Sequence, residues 1–574
     1  TLHADGRQFV QELMPTRGFQ SAVDHVLLFG LGNIDLVDSI SVRWPDGRVQ
    51  SLASQSVNTT ITIDQGQATD SPATTQPESA TWYQQLEVAS FTHQENPYID
   101  FKQQQLIHHK VSTLGPRVAV ADLNNDGLQD MYAGGAKNSP GQLLIQQRTG
   151  DFVPVWETAS EYEDIGVHFF DADNDGDQDL YVVSGGADFP ANDPFLQDRF
   201  YRNTGNGVLR HEQSALPEML TSGSTVTSGD YDQDGDLDLF VGGRLVPGNY
   251  PTIPRSYLLE NDGKGRFSDV TEQINPELLH PGMVTDAIWT DFNQDQLPDL
   301  LIVGEWMPLR IFKNNNGQLE EVSAQAGTDQ IKGWFNRLEP ADLDNDGDLD
   351  YVVGNFGWNS QINASVEEPV SLYSKDFDNN GQIDPILCYY VDGENYPAFS
   401  KDDMEKQLPM IKRKFVKYSD YADKKLTEIF SAEELEGASV LEANQLSTGY
   451  FENQGDGTFR YVTLPIEVQV SPTYAIHISD IDQDGNLDLI MGGNFLGTRV
   501  KFGEYDSSFG TILKGDGQGG FVSIPSSETG ILIRGEVRDI VTLTSGDKSP
   551  LMLWARNNDT PVILKKNPLI SITK

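Results

Sequence analysis

The chain has 574 residues, with 86 acidic and 40 basic side chains and a formal net charge of −46. That balance excludes a nucleic-acid binder, which needs a cationic footprint, and an anionic membrane surface would repel it. At 38% hydrophobic residues the composition is that of a globular protein; no apolar run approaches the roughly 18 residues of a membrane span, and a single cysteine, Cys388, read as a buried small hydrophobe, rules out an intrachain disulfide.

Thr1 falls in mid-strand pattern, so the chain reads as a portion of something longer. Residues 1–65 alternate strands with turns (VLLFGLG at 26–32, SISVRW at 39–44, PDGRVQSL at 45–52, TTITID at 59–64), which predicts a small β-domain. Residues 66–80, GQATDSPATTQPESA, have linker composition. A lead-in continues to about 95, and the neighbouring His108 and His109 read as polar packing rather than zinc ligands.

From residue 96 onward one nonapeptide recurs seven times, as DLNNDGLQD, DADNDGDQD, DYDQDGDLD, DFNQDQLPD, DLDNDGDLD, DFDNNGQID and DIDQDGNLD. Each lies between two short apolar strands. Oxygen donors at positions 1, 3, 5 and 9, with the backbone carbonyl of position 7 and a Gly turn at position 6, are the hard ligands Ca²⁺ prefers. The expected ligands are Asp122, Asn124, Asp126, Leu128 and Asp130 in the first loop, then Asp171, Asp173, Asp175, Asp177 and Asp179. The third and fourth loops offer Asp230, Asp232, Asp234, Asp236 and Asp238, and Asp291, Asn293, Asp295, Leu297 and Asp299. Next come Asp342, Asp344, Asp346, Asp348 and Asp350, and Asp376, Asp378, Asn380, Gln382 and Asp384. The last set is Asp480, Asp482, Asp484, Asn486 and Asp488. Six or seven calcium ions are expected; the Asp291 loop is the weakest, with Gln296 at the turn glycine and Pro298 at its exit. An EF-hand needs a Glu at position 12 and a following helix, whereas position 12 here is Ala133, Val182 or Val241, within a strand.

Most loops are followed by a second hairpin, such as FYRNTGNGVL and YLLENDGKGRF. Four strands per 50–60 residues predict an all-β fold: a seven-bladed β-propeller over 96–574, with calcium in the loop between the first and second strands of a blade. Eight blades is the alternative. The Asp376 loop follows Asp342 too closely for a blade of its own, so 376–447 reads as an insertion in the fifth blade, with two amphipathic helices over 402–437. Their local excess of Lys and Arg marks either a docking surface or a helical cap packed through Leu408, Ile411, Phe415 and Ile429. The final unit, VRDIVTLTSGDKSPLMLWARNNDTPVILKK, has the rhythm of four strands without a ligand set and reads as the closing blade.

On the face opposite the loops the sequence places Arg244, Glu305, Trp306, Trp334, Asn336, Asn355, Trp358, Asn359 and Arg499. Exposed aromatics beside amides and charges hold sugars or anchor protein partners; packing between blades is the competing reading of the tryptophans. No nucleophile elbow, HExxH, Walker or dinucleotide pattern is present in a suitable context. The expectation is a non-enzyme, with a calcium-dependent polysaccharide lyase or glycan hydrolase as the alternative. Arg244 and His477 are the only candidate bases for that alternative.

The loops with their GG-ended strands resemble FG-GAP/VCBS repeats, the units of integrin α-subunit heads and many bacterial surface proteins. FGLGNIDLVDSISVRWPDGRVQSL, in the first 65 residues, resembles an ASPIC/UnbV domain, as in cartilage acidic protein and its bacterial relatives. In that family this domain usually follows a propeller, so an earlier one is expected before Thr1. The resemblance implies an extracellular or cell-surface protein, at the outer membrane of a Gram-negative bacterium. It further implies a scaffold that binds a protein, glycan or peptide in a nutrient-uptake or adhesion complex, tethered if at all through the missing N-terminal part.

Overall fold

Asp179–Ser184 is buried at all six positions, and Asp238–Leu245 at all eight. A strand with no solvent-facing alternation has both faces of its sheet covered. Asp130–Ala133, Asp350–Gly354 and Asp488–Gly493 are likewise buried throughout, and each fully buried Leu or Val there contributes about 1.5–3 kcal/mol. The computed structural model describes residues 1–69, 81–86, 91–546 and 548–567. Residues 70–80 and 87–90 of the expected linker and lead-in lie outside them. The chain forms two compact units, Thr1–Ser79 and Ala80–Lys574.

In the first unit a four-stranded sheet runs in the order Arg7–Phe9, Leu2–Ala4, Ser39–Arg43, Val49–Leu52, with Leu36–Val37 paired to Gln55–Ser56. Leu2, Ala4 and Val37 are its buried core. The predicted strands at 26–32 and 59–64 do not form. Val26 and Leu28 are exposed there, and an apolar run becomes a strand only beside an edge that takes up its hydrogen bonds.

Among the described residues of the second unit, seven of its eight large antiparallel sheets, each with four strands in antiparallel succession, are arranged around an axis. Their innermost strands are Val118–Ala121, Asp164–Phe170, Ser222–Gly229, Met283–Thr290, Arg337–Ala341, Thr473–Ser479 and Glu536–Thr544. Each packs against the next and the last returns to the first, so the ring is closed. This is a β-propeller. Crowding between the blades accounts for glycine at some strand ends: a Cβ on Gly354 would sit 2.5 Å from the Thr473 carbonyl oxygen of the next blade.

Two features differ from the expectation. The last sheet draws only three strands from its own repeat, Glu536–Thr544, Pro550–Asn557 and Val562–Lys566; Tyr83–Leu86 supplies the fourth. The lead-in therefore belongs to the closing blade, where its backbone groups satisfy the edge of the final strand. The insertion in the fifth blade is also larger than predicted. It lies between Asp350–Gly354 and Gly449–Asn453 and builds a separate sheet in the order Glu394–Pro397, Asp384–Val391, Val370–Lys375, Ser439–Ala443. Its helical part is five short helices between Lys401 and Leu435 rather than two. Pro409 and several capping side chains break the run into pieces of four to seven residues. Leu408, Ile411, Phe415, Ile429 and Cys388 are buried in the core of this insertion. No helix among the described residues is long and apolar enough to cross a membrane.

Candidate functional site

The seven nonapeptide loops share one backbone. Position 4 is left-handed in all seven, with φ between 58° and 62° for Asn125, Asn174, Gln233, Gln294, Asn345, Asn379 and Gln483. Asn and Gln therefore stand where a polar side chain can tolerate positive φ. The N–H of position 6 donates to the position 1 carboxylate at 2.8–3.2 Å in every loop. Gln296 adopts the glycine-like φ of 70°, so the Asp291 loop keeps the turn without glycine.

In at least four of these loops three carboxylates each place an oxygen within 4.8 Å of the others, among them Asp171/Asp173/Asp175, Asp230/Asp232/Asp234, Asp291/Asp295/Asp299 and Asp342/Asp344/Asp346. Asp173 Oδ1, Asp230 Oδ1, Asp342 Oδ1, Asp348 Oδ1 and Asp378 Oδ1 are buried without a hydrogen-bond partner. Converging carboxylates with unmet acceptor capacity repel one another unless a cation lies between them, and the all-oxygen donor set fits Ca²⁺. In three loops a basic side chain already leans in. Arg202 pairs with Asp173, Lys313 lies 3.2 Å from Asp295, and Lys514 contacts Asp482 and lies 3.0 Å from Asp484.

Position 9 has a further role. Asp130, Asp179, Asp299, Asp350 and Asp488 each take a backbone N–H from position 2 of their own loop and a second from the third strand of their blade. Burial pushes the carboxyls of Asp179, Asp238, Asp299 and Asp350 up to about 7. The Asp376 loop stands apart: it belongs to the insertion, and Gln382 donates to the carbonyl of Gln103 rather than to another loop.

The opposite face holds the other residues singled out from sequence. Trp306 and Trp334 are buried, at 4% exposure each, and only Trp358 is open, at 47%. The tryptophans thus divide between the two readings. Asn355 is fully buried and ties the insertion to the blade through the carbonyls of Gln445 and Ser447. Arg499 binds the Gln105 carbonyl and lies 3.4 Å from Asp403. Asn359 is exposed and donates to Val470.

Arg244, Glu305, Trp334 and Asn336 converge on a cavity of about 60 Å³ where the channel axis meets this face. Arg244 lies 2.5 Å from Glu305 Oε2, Tyr250 donates to Oε1 at 2.8 Å, and Trp306 Nε1 donates to the Tyr250 hydroxyl at 2.7 Å. Trp306 holds this position at a φ of 64°, a strained conformation for a bulky side chain. Against expectation, His108 and His109 also reach the cavity, with His109 Nε2 3.5 Å from Glu305. Burial lowers both imidazoles below their usual range. Burial alone would raise Glu305, but Arg244 and the two imidazoles outweigh it and hold the carboxyl at about 2. Tyr250 carries no local sequence signal, and the adjacent histidines meet it only through Glu305 of a distant repeat.

Residues 1–70 match the family profile described as ASPIC and UnbV, and residues 101–182 and 291–353 match the FG-GAP-like repeat. Cartilage acidic protein 1 of Mus musculus is 27% identical over 217 residues, and that of Xenopus tropicalis 29% over 218; each match covers 36% of this chain. The matched stretch spans about a third of these relatives' length, 31% in each case. A solved Agrocybe aegerita lectin, described as recognising non-reducing terminal N-acetylglucosamine, is 13% identical with a TM-score of 0.38, covering 78% of this chain and 87% of that one.

Proposed function

Because the chain carries an ASPIC and UnbV segment and FG-GAP-like repeats on a propeller, we propose that it is a non-catalytic, calcium-stabilised binding scaffold. It works outside the cell or at its surface, as an accessory subunit of a bacterial outer-membrane nutrient-uptake or adhesion complex. The observation that carries the calcium reading is the set of buried, partnerless carboxylate oxygens recurring from loop to loop. Such groups make the folded state depend on a divalent cation, and millimolar calcium is an extracellular supply. The face opposite the loops, with Trp358 open on it, is the side offered to a protein, glycan or peptide partner.

A lyase on this face would need a base open to a polymer. Arg244 is tied to Glu305 and His477 is largely buried in an innermost strand, so the binding reading is preferred.

The test is a thermal melt of the whole chain with calcium and with a chelator. A ligand at 100 times its Kd stabilises by about 2.7 kcal/mol per site, so several sites shift the midpoint by many degrees. An unchanged midpoint rejects the calcium reading. Co-purification from native membranes tests the complex, and recovery of the chain alone rejects the subunit role.

A further inference from the structure

The cavity at the channel mouth has two arginines and one carboxylate on its wall. Arg244 and Trp334 line it, and each is more than nine-tenths buried, at 5% and 4% exposure. Yet Arg244 Nη1 and Trp334 Nε1 have no hydrogen-bond partner. Both atoms are donors, and a buried donor left unmatched is costly, so the site asks for an acceptor. Arg117 lines the cavity as a second guanidinium; its nearest carboxylate, Asp539, is 4.0 Å away, and its one hydrogen bond, to the Arg538 carbonyl, is a long 3.3 Å.

The one carboxylate on the wall, Glu305, is already taken up. Arg244 occupies one oxygen and Tyr250 the other. A metal ion drawn to His108, His109 and Glu305, which place donor atoms within 4.8 Å of one another, would meet Glu305 at Oε1, the oxygen nearest His109, and compete there with the Tyr250 hydroxyl. An anion meets no such competition. Size narrows the choice: about 60 Å³ is room for a few waters and far below the roughly 300–1,000 Å³ of pockets that enclose whole ligands. A head group of three or four heavy atoms fits. Phe356, Tyr474 and Tyr505 supply an apolar rim for the stem that carries it.

We propose that the channel mouth binds a carboxylate, with Arg244 Nη1 and Trp334 Nε1 as the donors and Arg117 as the second cation. The carboxylate belongs either to a small free acid or to a peptide, as a C-terminus or an acidic side chain. The proposal specifies the ligand class for the binding face and rests on the reading of that face as the partner side; it does not depend on calcium.

The test is calorimetric titration of the whole chain, in calcium, with benzoate, with benzamide, and with a short aromatic peptide bearing either a free or an amidated C-terminus. Benzoate or the free-acid peptide should bind at least about tenfold more tightly than its amide, the ratio expected for a hydrogen bond to a charged group. Trp334→Phe, which keeps the ring and removes the donor, should reduce that ratio while the melting temperature changes little; Arg244→Lys is the second variant. Preference for the peptide over benzoate assigns the carboxylate to a peptide, and equal affinity assigns it to the head group alone. Acid and amide binding equally, neither binding, or zinc binding that His109→Gln abolishes would each overturn the proposal. A chelator-sensitive melt with no carboxylate binding would reject this site and leave the calcium scaffold standing.

Discussion

Asp179 accepts the backbone N–H of Asn203 at 2.7 Å, and the Asn203 amide donates onward to the Leu123 carbonyl of the preceding blade at 3.0 Å. The same staple recurs with Asn261 from Asp238 to Ala172, Asn314 from Asp299 to Tyr231, and Asn453 from Asp350 to Phe292. The last carboxylate of each of these four loops is thereby tied to its own blade and, through one buried asparagine, to the loop beside it. Asn203→Leu leaves the Leu123 carbonyl without this donor, so it should cost about 1–3 kcal/mol, read as a lower urea midpoint at unchanged slope. A midpoint equal to the parent's would mean that the staple carries no net stability.

A second link joins the loops directly. Asn125 donates to Asp177 at 2.8 Å and Asn174 to Asp236 at 2.7 Å, so the left-handed residue of one loop touches position 7 of the next. Under the calcium reading, sites around the ring are coupled and the Asp376 site is independent. Asp173→Ala should therefore weaken calcium binding at neighbouring loops as well as its own. Asp378→Ala should remove one site and leave the remaining isotherm unchanged. Calcium titration of the two variants checks this, and identical residual isotherms would exclude coupling.

The two kinds of tryptophan on the opposite face should behave differently. Trp306 is buried, and its Nε1 supports the Tyr250 hydroxyl; Trp306→Ala should cost about 3–5 kcal/mol. Trp358→Ala should change stability by less than about 0.5 kcal/mol and lower partner recovery in co-purification. Denaturant melts and pull-downs of both variants separate the roles, and a large stability loss at Trp358 would show that it packs rather than binds.

The loops were legible because metal chemistry fixes residue types at fixed offsets within nine residues, and the blades because strand and turn alternate locally. The channel site was only partly legible. Arg244, Glu305 and Trp334 could be placed at strand ends, but whether Trp334 faces water or core depends on the insertion that covers it. His108 and His109 looked like packing because the partner that matters, Glu305, lies nearly 200 residues away in sequence. The closing strand Tyr83–Leu86 was misread for the same reason: its pairing partner, Val562–Lys566, lies at the other end of the unit.

His168 gives a pH test free of the loops. Its ring stacks on Phe170 and its Nε2 is 2.9 Å from the Ser228 hydroxyl, and burial pushes its pKa down to about 4. In the unfolded chain the value is about 6.5. Between those values the unfolded state holds a proton that the folded state does not, so stability falls as the pH drops from 6.5 towards 4. The slope approaches ~1.4 kcal/mol per pH unit, or ~3 kcal/mol over the window. Asp198, raised to about 7 by burial, changes stability in the opposite direction, so the total curve is not diagnostic. The difference between the parent and His168→Gln isolates one group, because Asp198 is common to both. That difference should be flat above pH 7 and shift against the parent by up to ~3 kcal/mol on acidification to pH 4. A difference that stays constant from pH 7 to 4 would mean that the His168 pKa is not displaced by folding.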